Sequence, residues 1–194
     1  MRTIKKVASH IFIDGFGGMT QGLFATLIIG TMIQQIGLLI GGSTGNVIYL
    51  LGKAAAALTS AGIGVGVAVK YGESPLVTVS AAVAAMVGGY AGKITGGTFF
   101  VDGNAVLAGP GEPLGAFIAA FAGITCGHLV SGKTKVDIIV TPVITIGAGS
   151  VVGLLVGPPI SHMMTGLGSI INWATEQRPF IMGIVVSVVM GMVL

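Results

Sequence analysis

Most charged side chains in this chain lie in short connections. From Gly22 to Ile40, from Leu76 to Gly92 and from Ile138 to Ser161 not one interrupts the apolar run. A helix needs roughly 20 apolar residues to cross about 30 Å of hydrocarbon, and these runs are of that order. The wider composition agrees, because 53% of the 194 residues are hydrophobic and 8% are charged, against about a quarter charged in an ordinary soluble domain. The expected fold is an all-α integral membrane protein of about five to six transmembrane helices, with re-entrant or broken segments and an interfacial amphipathic helix. Residues 1–194 are expected to form a single membrane domain.

The same features exclude several functions. The net charge of +3 is small, and the bases sit in turns instead of forming a stripe that could follow phosphates, so nucleic acid is not an expected partner. A single cysteine gives neither a disulfide framework nor paired thiols for metal or redox work. No cleavable signal peptide follows Arg2, Lys5 and Lys6, since the apolar stretch runs beyond a signal's length.

In the lead-in segment Ile4, Val7, Ala8, Ile11 and Phe12 recur at helical spacing. The first span is expected from Gly22 to Ile40, ended by Gly41-Gly42-Ser43-Thr44-Gly45, and the second from Val47 to Val69. The third runs from Leu76 to Ala91, with Pro75 at its start. Ile94 to Gly111 is too apolar for a solvent loop and too short for another span, which predicts a re-entrant segment. Irregular backbone is tolerated at membrane depth only where protein or a wet cavity satisfies it.

Pro113 then opens a helix to Val130, and a basic turn, Ser131 to Lys135, leads to an apolar segment from Ile138 to Val156. Pro142 is expected to kink or split that segment and Gly157-Pro158-Pro159 to stop it. Ile160 to Glu176 places Ile160, Met163, Met164, Leu167, Ile170, Ile171 and Ala174 on one face, as in an interfacial helix. Trp173 and Arg178 suit the headgroup boundary. Phe180 to Leu194 reads as a partial span, either cut from a longer protein or packed on another subunit. With the amino terminus inside, Arg2, Lys5, Lys6, Lys70, Lys133 and Lys135 are cytoplasmic and Lys53, Lys93 and Arg178 are not, which satisfies the positive-inside rule.

Glycine pairs at small-xxx-small spacing, Gly18/Gly22, Gly62/Gly66, Gly88/Gly92, Gly123/Gly127 and Gly149/Gly153, predict close helix approach. Gly127 to Thr134 matches the phosphate-loop pattern letter for letter, yet such a loop follows a strand and opens a helix, whereas this one ends an apolar span. Nucleotide hydrolysis is therefore set aside. Glu112, one of six acidic residues, sits between Gly111 and Pro113. It is either a cap for the helix opening at Pro113 or a carboxylate presented to a polar solute by a broken helix, and the second reading is preferred.

Asp102, Asn104, Thr95 and Thr98 complete such a site if the segment folds back toward Glu112; the alternative is an ordinary external loop. Interrupted apolar segments point to transporter sites, which adds Thr141-Pro142 and His162 after the double proline; a boundary histidine is the alternative for His162. His10 and Asp14 share a helix face and are read as an interfacial anchor. Cys126 and His128 do not make a metal site. Lys53 snorkels. No nucleophile, base and orienting group can be assembled, so neither a catalytic residue nor a cofactor is expected.

Gly109 to Ala116, Leu129 to Asp137, Thr141-Pro142, His10 to Gly15 and Pro159-Ile160-Ser161 resemble a bacterial membrane-protein family related to the IIC component of sugar phosphotransferase systems, which includes a clostridial toxin regulator. The resemblance implies a permease fold, a homodimer in the bacterial cytoplasmic membrane, and a sugar-like solute that IIA and IIB partners would phosphorylate. Family members are longer than this chain. Gly123-Ile124-Thr125 is followed by Cys126 where well-studied sugar IIC proteins have glutamate, so that acid is not carried over. A membrane-bound sensor with a transporter-like fold and an ion-coupled secondary transporter are the alternatives. The expected solute contacts are Glu112, Asp102, Asn104, His162 and Thr98.

Overall fold

The structure, a computed structural model, describes residues 10–101, 103–107, 109–176, 183, 187 and 188. Asp102, the lead-in segment before His10, Arg178 and nearly all of the last apolar run lie outside them. The chain divides into two compact units, Met1–Pro158 and Pro159–Leu194.

In the first unit, helix α1 runs from Ile13 to Ile40 and includes the π-helical turn Phe24–Ile28. Gly41 and Gly42, both with positive φ, reverse the chain. Helix α2 (Gly42–Ala57) and helix α3 (Thr59–Lys70) follow, bent by 52° at Leu58. After Gly72, Ser74 caps helix α4 (Pro75–Gly89): its side chain accepts from Val77 N at 3.4 Å, and Pro75 fills the first turn, where no N–H is needed.

A short helix α5 (Ala91–Thr95) leads to strands β1 (Phe100–Val101) and β2 (Asn104–Ala105), paired antiparallel as Phe100 with Ala105 and Val101 with Asn104. Helix α6 covers Pro113–Val130, the bounds expected. Helix α7 is assigned over Asp137–Glu176.

Among the described residues three helices are long and apolar enough to cross a membrane, or four when the bent α2–α3 pair counts as one span. The protein is thus a helical membrane protein. Helix α4, at 15 residues, is a shorter apolar helix. The first span begins well before Gly22, because Thr and Gln in Phe16–Leu23 are compatible with a helix even though they lower its hydropathy. The second expected span is two helices broken at Leu58.

Neither a split at Pro142 nor a stop at Gly157-Pro158-Pro159 is present. Helix α7 passes through Pro142 and through Gly157-Pro158-Pro159. Proline in a helix interior removes one backbone bond and costs about 3 kcal/mol, a penalty that neighbouring protein can absorb in membrane helices. The double proline does mark the boundary between the two compact units.

Many large apolar side chains point outward, and the core mixes alanines with a few larger residues. Leu39 is 85% exposed and Leu155 71%, while the core is built from Ile63, Val67, Val77, Ala81, Ala85, Ala116, Phe117, Ala120 and Ile124. Outward leucine is at home against lipid, so association must come from close packing instead. Glycine provides it.

The first half of α1 packs on α3, where Gly18 faces Gly66 and Gly22 faces Gly62; its second half packs on α2, where Gly30 faces Gly52 and Gly37 faces Gly45. A methyl group on Gly18 would lie 2.6 Å from the Gly66 carbonyl oxygen. From Gly30 to Gly22 α1 spends eight residues, whereas its partner spends ten from Gly52 to Gly62. The surplus falls at the Leu58 bend.

Of the other expected pairs, Gly88 packs on Gly115 and Gly153, and Gly123 packs on Thr145 and Gly149. These are contacts between helices. At the end where α4 begins and α6 ends, Ser74 Oγ and Ser131 Oγ are 3.0 Å apart, and His128 Nδ1 lies 3.0 Å from Glu73 Oε1. The Glu73 side chain is only 9% exposed, so this partner matters.

Gly22→Ala should lower stability by about 1–3 kcal/mol, because the added methyl meets the backbone of Gly62 and Ile63, which cannot move aside. Gly147→Ala, with nothing near its Cα, should leave stability unchanged or slightly raised. Unfolding of the two variants in mixed detergent, followed by circular dichroism, checks the contrast.

Candidate functional site

The segment between α5 and α6 is fixed to the bundle by its backbone. Gly103, with φ +78°, lies in the hairpin between β1 and β2, and Val106 N donates to Phe99 O at 2.8 Å. Beyond the hairpin the chain turns inward at Gly109 and Gly111, which have φ of +81° and +76°. Only glycine adopts these values without strain.

The inward turn docks on the break between α2 and α3. Ser60 Oγ donates to Pro110 O at 2.9 Å, Tyr90 Oη donates to Gly109 O at 2.5 Å, and Glu112 N donates to Gly89 O at 2.7 Å. Ser60 and Tyr90 are buried. Since Ser60 belongs to the first turn of α3 and Gly89 ends α4, Pro110 to Glu112 dock half-buried against the bundle, about 15 Å from the far end of α3 at 1.5 Å per residue.

Glu112 stands immediately before α6, at its N-cap position, yet its side chain makes no capping hydrogen bond. The carboxylate is half-buried. Burial pushes it above the usual carboxylate range, and the Lys93 ammonium pulls it part of the way back. Lys93 Nζ also lies 5.3 Å from the centre of the Tyr90 ring, which packs at 5.4 Å on Phe99. A carboxylate, an ammonium and aromatic faces therefore share one region. They offer acceptors, donors and apolar surface to a small polar molecule.

The other expected contacts are placed as follows. Thr98 is exposed, with its hydroxyl directed to Lys93 O at 3.4 Å, and Thr95 is bonded back to Ala91 O at 2.9 Å. Asn104 is exposed on β2. His162 is exposed and belongs to the second unit. Asp102 lies outside the described residues. The loop docking brings Glu112 together with Gly89 and Lys93, and Ser60 and Tyr90 hold the residues just before it.

Ser60 and Tyr90 carry no mark in the sequence. A hydroxyl within an apolar run usually bonds back to its own helix, as Thr26 does to Gly22 O at 2.7 Å and Ser80 to Leu76 O at 2.6 Å. Their one visible sign is position, since Ser60 follows the break and Tyr90 follows the end of α4.

The phosphate-loop match is accounted for by its own geometry. Gly127 is buried in α6 against Thr145, and the Gly132 amide, which would face a phosphate, donates to Asp137 Oδ1 at 2.9 Å. Asp137 also accepts from Thr141 Oγ1 at 2.6 Å. A carboxylate thus occupies the place an anion would need. Among the described residues no group of three or more His, Cys, Asp or Glu side chains is placed to hold a metal ion.

Neither any curated protein nor any solved structure matches this chain. Residues 13–194 do match the family model described as phosphotransferase system, EIIC. Nearly the whole length is covered, including the docked loop and the helices that hold it, and the protein belongs to this family of membrane transport components.

Proposed function

We propose that the protein is a permease component that moves a sugar-like polar solute across the bacterial cytoplasmic membrane. It works as a homodimer with its amino terminus in the cytoplasm, and IIA and IIB proteins phosphorylate the solute. Family membership supports a phosphotransferase-type transporter component. The finer reading rests on Glu112.

The observation that carries it is a mismatch between position and use. Glu112 occupies the N-cap position of α6 without capping it, while its backbone is pinned to Gly89 O. A half-buried carboxylate needs hydrogen-bond donors. Solute hydroxyls supply them in the bound state, beside the Lys93 ammonium. In this reading the loop lies at membrane depth, and its carbonyls are satisfied by protein, as irregular backbone in a bilayer requires. Asp102, Asn104, Thr98 and His162 are the further contacts proposed.

The cytoplasmic placement of the amino terminus puts Lys70, Lys133 and Lys135 on the same side, in agreement with the positive-inside rule. The Glu73–His128 and Ser74–Ser131 contacts then tie two cytoplasmic turns together.

Proteoliposomes given radiolabelled glucose, galactitol and N-acetylglucosamine should accumulate one of them only when IIA and IIB partners and a phosphoryl donor are present. Uptake without partners would replace phosphotransfer with ion coupling, and binding without uptake would favour a sensor. Glu112→Gln should weaken binding of the accepted sugar by roughly tenfold to a hundredfold, the range expected for a charged hydrogen bond; unchanged affinity in the folded variant would remove the carboxylate from the site. With Cys126 replaced by serine, Lys133→Cys should react with a membrane-impermeant maleimide only after cells are permeabilised, and ready labelling of intact cells would reverse the topology.

A further inference from the structure

We propose that Ser60 and Tyr90 are positioning residues for Glu112, and that the Tyr90 hydroxyl, with one proton and two carbonyls in reach, lets the loop exchange between a held and a released state. The inference rests on the reading of Glu112 as the solute contact.

Four consecutive residues of the loop are fixed, and none of the anchors uses the Glu112 carboxylate. The Gly109 and Pro110 carbonyls are held by Tyr90 and Ser60, and the Glu112 amide is held by Gly89. Gly111 fits between them because the space a side chain would take is filled by Ser60 Oγ, 2.5 Å from a methyl built there, and by Gly89 O at 3.0 Å. The loop is located by shape and by hydrogen bonds together. Tyr90 is 1% exposed and Ser60 fully buried, so no water competes for either hydroxyl.

The two anchors differ in what happens when the loop lifts. Tyr90 Oη also lies 3.3 Å from Ala57 O, at the end of α2 beside the break. A phenol has one proton to give. Held, the loop receives it at Gly109; released, Ala57 takes it, and no buried hydroxyl is orphaned. Ser60 is different, since its hydroxyl donates to Pro110 O. Ser60 therefore sets most of the preference for the held state, and Tyr90 keeps the released state accessible. The Tyr90 ring beneath the Lys93 ammonium also ties the loop anchor to the charge beside Glu112.

Hydrogen exchange of the full-length protein in nanodiscs, read on the segment 107–114, reports the held state without any solute. Dicyclohexylcarbodiimide labelling of Glu112, read by mass spectrometry against labelling of the buried Glu73, reports where the carboxyl sits. Ser60→Ala should speed exchange of the segment by about five- to thirtyfold, as expected for one lost hydrogen bond, and Tyr90→Phe should speed it by a smaller factor, because that variant loses a bond in both states. Glu112 labelling should rise in parallel while Glu73 labelling and exchange across the α1–α3 contact stay unchanged.

Unchanged exchange in both variants would overturn the proposal. An equal rise at Glu73 would overturn it too, by showing general loosening. Neither readout contains a sugar, so failure of Glu112→Gln to alter sugar binding would remove the solute site and leave the exchange result intact. Unchanged exchange would remove the latch and leave the solute site intact.

Discussion

The contact on which this structure depends is backbone against backbone, through glycine. Large side chains such as Leu39 and Leu155 face outward, where lipid tails receive them as well as protein would, so burial of leucine supplies no force to assemble the helices. Dispersion and weak polar contact between surfaces at very short range do so instead. Helix α1 must also pack on two partners of different direction, α2 and α3, bent by 52° at Leu58. Flat glycine faces on both sides of the bend let one helix serve both. Bulkier residues at Gly22 and Gly30 would hold it off each in turn.

From that bend the loop follows. Where α2 stops and α3 starts, Ala57 O and Ser60 Oγ face Tyr90 and the returning chain between α5 and α6. Irregular backbone can enter the bundle there because its carbonyls meet protein donors. The helices on either side of the loop are tied again at their other ends, by Ser74 with Ser131 and by Glu73 with His128. The pair α4 and α6 is thus held at both ends, with the small residues Gly88, Gly115 and Ala119 in close contact between them. A loop carried on such a frame has few ways to move except at its own anchors.

The parts of this arrangement that the sequence announces are those with local causes. Pro75 and Pro113 open helices where expected, since a fixed φ and a missing N–H suit a first turn, and the end of α6 at Val130 precedes a polar turn. The bend at Leu58 has no such signal, because it lies in an alanine-rich run with no glycine or proline at the break itself. The double proline at 158 and 159 gave the opposite error, since a helix can carry a proline that its sequence alone would end at. Glu112 was visible as an acid in a Gly-Pro loop. Its anchors were not, for the Ser60 to Pro110 bond joins residues 50 apart in the chain, and only the assembled bundle reveals it.

The electrostatics around Glu112 narrow what such a loop is suited to meet. Burial favours the neutral acid and outweighs the Lys93 ammonium, which favours the ionised carboxylate, as a helix N-terminus also does. A half-buried acid needs hydrogen-bond donors. A bare anion would meet its charge at close range, and a large cation would compete with Lys93. On the proposed reading a neutral molecule rich in hydroxyls avoids both conflicts, because each hydroxyl can donate to the carboxylate and accept from the ammonium. By contrast, the other anion-like feature of the chain, the Gly132 turn, has its amide already matched by Asp137 within the protein. One polar loop is thus satisfied internally, and the other keeps a carboxylate whose backbone is fully engaged but whose side chain takes no part in holding the helix it precedes.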